Sequence, residues 1–200
     1  EVHVPAPLDE WVHFACTLDG DTGKMRLYTN GTLAGEIVTS IRPFAALDAG
    51  LPGGVGIGNT IFHAFSFDGL IDEISLYNRA LIPAEILAIY TAGSAGKCAV
   101  TNPPLVCTPP SPGLISWWRA ENNGADIISG STGDLLDGVS FVPGQVGQAF
   151  QFDGAHDSIR VAARAATDVG TQAGFTLEAW INPSRISIGQ IAEWNNGASG

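Results

Sequence analysis

The stretch FDGLIDEISLY, residues 67–77, has a near-copy at residues 152–161, FDGAHDSIRV. Each opens Phe-Asp-Gly, places an aspartate sixth (Asp72 and Asp157) and continues with apolar residues at alternating positions. Alternation of this kind marks a strand with one buried face. In the first stretch it predicts Leu70, Asp72, Ile74 and Leu76 on one face, with Ile71, Glu73, Ser75 and Tyr77 on the other. The surroundings show that the two are not duplicated units. The first leads into YNRAL and a helix pattern, the second into a loop and FTLEAW.

Upstream of the first copy the chain reads as a three-stranded meander over residues 11–38. WVHFACTL alternates, DGDTGK turns, MRLYT follows, and Asn30-Gly31 separates it from TLAGEIV. Asn-Gly between two β-rich runs is a strong hairpin signal, because a type I′ turn needs positive φ at both central residues. A short strand is expected near GVGIGN. Downstream, LIPAEILAIYTAG predicts the one helix: Pro83 and Glu85 suit a first turn, Ile86, Ile89 and Tyr90 share a side, and Gly93 stops it. Residues 97–112, rich in proline and small residues, read as a linker. Beyond it β patterns return in LISWW, QAFQFDGAHDSIRV and FTLEAWINP. In the last, Phe175, Leu177, Ala179 and Ile181 face one way, and Thr176, Glu178, Trp180 and Asn182 the other. The fold class is therefore all-β, an antiparallel β-sandwich with one short helix.

Glycine and proline together make up 37 of 200 residues (25 and 12), which favours turns and short strands over long helices. Nine basic against twenty acidic residues give a net charge of −11, which repels phosphate backbones and anionic lipid. Nucleic acid is thus a poor partner. The uncharged run 99–118 has membrane-span length but holds five prolines, so no membrane insertion is expected. Cys98 and Cys107 flank the segment CAVTNPPLVC at a spacing that permits a small disulfide loop, with two reduced thiols as the alternative. Cys16 alternates with Val12, Phe14 and Leu18 and reads as a buried free thiol.

Two parts of the chain resemble laminin-G-like domains of the concanavalin-A-like lectin and glucanase superfamily, whose jelly-roll sandwich pentraxins share. LDEWVHFACTLDGDTGKMRLYTNGTLAGE with FDGLIDEISLYNRALIPAEILAIY looks like the second half of such a domain. GLISWWRAENNGADIISGSTGDLLDGVSFVPGQVGQAFQFDGAHDSIRV with FTLEAWINP looks like the first half. The order is reversed: residues 1–96 would end one module, 97–112 link, and 113–200 begin the next, with a circular permutant as the alternative. Each half alone would leave open sheet edges and an uncovered apolar face, so the halves are expected to dock as one incomplete sandwich. The resemblance implies a non-catalytic module of a secreted or cell-surface protein, binding carbohydrate or an extracellular protein beside neighbouring modules. The alternatives are a structural spacer in a tandem array and, further off, a glycoside hydrolase.

Residue chemistry narrows this. Glycosidases need two carboxyls facing each other across the scissile bond. Asp72 and Glu73 are adjacent, so a regular strand would send them to opposite faces, and Glu178 stands alone. Asp153 and Asp157 around one bend could ligate calcium, as could Asp19 and Asp21 around another, although aspartates in turns more often cap backbone amides. No cofactor is required. Among Trp117, Trp118, Trp180 and Trp194, Trp180 shares its face with polar neighbours and is the expected ligand-facing ring.

Overall fold

A computed structural model describes residues 6–42, 46–47, 54–60, 65–98, 107–185 and 189–195, the side chain of residue 171 excepted. The meander forms as the alternation dictates: β1 (Val12–Asp19), β2 (Lys24–Thr29) and β3 (Thr32–Val38). Asn30 and Gly31 take φ values of 48° and 73° between β2 and β3, the backbone that Asn-Gly supplies at least cost. Then come β4 (Gly54–Ile57), β5 (Asp68–Tyr77) and helix α1 (Pro83–Ala92). After the linker follow β6 (Leu114–Trp118), β7 (Gly133–Leu136), β8 (Ser140–Pro143), β9 (Gln148–Asp153), β10 (Ser158–Ala162), β11 (Gly174–Pro183) and β12 (Ala192–Asn195).

The strands form two antiparallel sheets. The larger runs β3-β2-β1-β11-β5-β9-β8, with β6 also on β5, and the smaller runs β12-β4-β10-β7. Strands from the two sides of the linker alternate in both. β5 has β11 on one edge and β9 and β6 sharing the other, all three from beyond residue 107. β4 lies between β10 and β12 in the same way. The core between the sheets is built from Ile71, Ile74, Leu76, Trp118, Phe150, Phe152, Leu177, Ala179 and Ile181 on the larger sheet, and Val55, Ile57, Ile159 and Val161 on the smaller. The molecule is an antiparallel β-sandwich.

The face pattern expected of β5 is corrected by a β-bulge. Glu178 pairs with Ser75 and Trp180 with Asp72, so Glu73 and Ile74 together oppose Ala179. Glu73 adopts a φ of 56°, and the extra residue reverses the parity of the strand. Ile71, Ile74 and Leu76 therefore all reach the core, while Asp72, Glu73, Ser75 and Tyr77 lie on the outer side. The two adjacent acids do not diverge.

Helix α1 begins as the sequence predicts. Pro83 opens it and the Glu85 carboxylate accepts from the Ile82 N–H (3.0 Å) while pairing with Arg79 at 2.5 Å. Gly93, with a φ of 52°, ends it. Ile86 and Ile89 pack onto the outer face of the larger sheet against Ala15, Tyr28, Tyr77 and Leu81. Each such side chain contributes about 2 kcal/mol by leaving water. Thr176 on β11 fastens the approach to the helix: its hydroxyl accepts from the Leu81 N–H and donates to the Arg79 carbonyl, both at 2.8 Å.

Candidate functional site

Beneath α1 and the start of the linker, the outer face of the larger sheet carries a buried charged network. The Lys97 ammonium lies 3.2 Å from Glu73 Oε2 and 3.0 Å from Glu178 Oε1, with all three side chains at most 2% exposed. His13 Nε2 is 3.1 Å from the other Glu178 oxygen. Arg119 reaches Glu73 at 3.7 Å from the rim, and both Lys97 and Arg119 sit over the Trp117 ring, 5.0 and 5.3 Å from its centroid. Buried carboxylates persist only when paired, and here one ammonium serves two of them.

The sharing is unequal. Burial works to raise the Glu178 carboxyl, but Lys97 and His13 outweigh it and hold it below its ordinary range. At Glu73 burial wins over Lys97, and its carboxyl is raised. Burial opposes the charge on Lys97, yet the two glutamates outweigh it and hold the ammonium protonated. Asp72, next to this group, is pushed up to about 8, chiefly by burial, with the Val146 N–H donated to its Oδ2 (2.8 Å) opposing and Glu73 adding to the rise.

Lys97 owes its position to the linker. It forms a parallel bridge with Thr108, the Cys98 N–H donates to the Thr108 carbonyl at 2.9 Å, and the Thr108 N–H donates to Gly96 at 3.0 Å. Cys98 and Cys107 are joined in a disulfide. The far end is docked too, with the Gly113 carbonyl accepting from Asn78 and the Pro112 carbonyl from Arg79.

Trp180 requires a correction. It is not solvated but 5% exposed, packed between His13 and Tyr90 with ring centroids 5.2 and 5.8 Å away. Period-2 alternation identifies its face correctly, but α1 covers that face, so polar neighbours here do not mean solvent. The signal was the helix itself: a helix with a buried Ile86/Ile89 stripe needs an apolar floor. Asp153 and Asp157 do meet at one bend, where Asp153 Oδ1 accepts from Ala155 and Asp157 Oδ2 accepts from the Asp153 N–H. Among the described residues no group of three or more His, Cys, Asp or Glu side chains is arranged to hold a metal ion.

An open groove of about 520 Å3 lies between the inner face of β1 and β11 and the edge strand β12. Phe14, Phe175 and Trp194 give it aromatic walls, and Gln190 and Glu193 also line it. The Trp194 indole N–H donates to the Thr167 carbonyl (3.0 Å), which fixes the ring. Cys16 lines the same groove, half-buried rather than buried, its thiol pushed up to about 11 by desolvation. A thiol at that value is a weak nucleophile.

This two-sheet frame with a helix laid across its larger sheet defines the lectin-like sandwich class. Residues 2–87 match the laminin-G-type family model described as the concanavalin A-like lectin/glucanases superfamily. None of the curated proteins or solved structures compared with the chain matches it. Among the described residues no helix is long and apolar enough to cross a membrane.

Proposed function

We propose that the chain is a non-catalytic binding module, taking carbohydrate or an extracellular protein at a secreted or cell-surface site. The observation that carries this reading is the groove, a space of about 520 Å3 lined by three aromatic rings together with the polar side chains of Gln190 and Glu193. Ring faces stack against the apolar face of a sugar, while amide and carboxylate groups orient hydroxyls. The laminin-G-like match supports the class, and the Cys98–Cys107 disulfide suits an oxidising compartment. Glu73 and Glu178, the neighbouring glutamates of this face, are buried and held by Lys97, out of reach of a substrate, which speaks for binding over hydrolysis. Calcium is not required in this reading.

A second reading, a structural spacer, is favoured by strand count. β1, β2 and β3 extend the larger sheet past β12, the last strand of the smaller one. The groove would then seat a further strand beside β12 rather than a soluble ligand. A glycan array probed with and without calcium, using the parent and Trp194→Ala, separates the two. Reproducible binding lost in Trp194→Ala supports the binding module. A flat array in both conditions rejects glycan recognition.

A further inference from the structure

Of the ten strand ladders among the described residues, six join a strand before residue 98 to one after residue 107: β1–β11, β5–β11, β5–β6, β5–β9, β4–β10 and β4–β12. The other four lie within one segment. β5 and β4 find no strand partner in their own segment, and neither does β11. The fold is thus an association of two interleaved pieces, tied by one chain connection and by the Cys98–Cys107 disulfide across it.

The charged network lies on the seam between them. Glu178 comes from the second segment and enters a seat made by His13 and Lys97 of the first. In the other direction, Arg119 of the second segment reaches Glu73 of the first, and the Val146 N–H donates to Asp72. Trp117 of the second segment underlies Lys97. Buried ionic groups add little net stability over well-packed apolar ones, but removing one partner alone costs heavily, so they penalise every mismatched association.

We infer that the two segments are mutual partners in trans, and that Glu178 seated between His13 and Lys97 is the recognition element of this pairing. The partner that fits the first segment is a second segment from another copy of this chain, presenting a carboxylate at mid-β11 and a guanidinium at the end of β6.

The test uses the folded chain with a protease site placed between Cys98 and Cys107. After cleavage and reduction by a dithiol, 15N-labelled and unlabelled particles are mixed and weighed by native mass spectrometry. Expected is that hybrids appear and approach half of all particles, while uncut chain gives none. In competition for the first segment, the parent second segment should be favoured over one carrying Glu178→Gln by at least tenfold, and not over one carrying Asp134→Asn, which alters an exposed carboxylate on β7. Because Glu178→Gln could weaken the segment by itself, the competition is repeated on a first segment carrying Lys97→Met. There the preference should vanish or reverse. Dissociation or unfolding on cutting and reduction, particles that never exchange, or a preference for the parent that survives Lys97→Met would each overturn the proposal.

Discussion

Replacing Lys97 by methionine keeps most of the side-chain volume and removes the one ammonium that faces both Glu73 and Glu178. Both carboxylates are at most 1% exposed, so solvent screening does not soften the loss. Breaking a buried pair by removing one partner costs about 3–5 kcal/mol, so a deficit of about 4 kcal/mol is expected at pH 7.5. Its pH dependence follows from the direction of the shifts. Without Lys97, burial is left with less to oppose it and the folded carboxyls rise above their unfolded values. A raised carboxyl contributes stability that is present below its unfolded pKa and lost as pH rises through the folded one. The deficit of Lys97→Met should therefore be large at pH 8 and shrink toward pH 4, where the carboxyls protonate. Urea titrations followed by tryptophan fluorescence suit the assay, since Trp117 lies 5.0 Å from the amine. A deficit under about 1 kcal/mol, or one equal at pH 4 and pH 8, would refute the reasoning.

Asp72 is pushed up to about 8, so its contribution to the parent is present below pH 4 and lost as pH rises toward 8. Asp72→Asn should remove that loss, on the order of 5 kcal/mol at the alkaline end, and flatten the stability–pH curve over this range, measured by urea titration at several pH values. Trp180→Ala should destabilise by about 3–5 kcal/mol through the cavity left beneath Tyr90 and leave ligand binding by the folded protein unchanged, read by thermal melts alongside the glycan array. Reducing the Cys98–Cys107 disulfide opens a ring of about ten residues and should cost ~2.5 kcal/mol, seen as a lower urea midpoint.

The legible parts of this fold are those where local chemistry and tertiary context agree. Asn30-Gly31 dictates its hairpin without help from packing, and Pro83, Glu85 and Gly93 bound α1 from within eleven residues. The alternation of FTLEAWINP places Leu177, Ala179 and Ile181 in the core as read. The rest depended on contacts distant in sequence. The bulge at Glu73 is fixed by pairing with a strand about a hundred residues away, and no pattern within 67–77 announces it. Trp180 reads as solvated because the helix covering it lies on the far side of the linker. Lys97 sits in a proline-rich stretch that reads as a spacer. An isolated lysine beside a cysteine gives no sign of two buried glutamates from separate strands.

The central claim is that the strands before and after the linker lie side by side, with β1 on β11 in the register that brings Ala15 opposite Glu178. Backbone nuclear Overhauser effects between these two strands test it most directly. Cross-strand contacts running from Val12–Ile181 through Ala15–Glu178 to Leu18–Phe175 are expected. Contacts confined to strands within each segment, with none between β1 and β11, would contradict it.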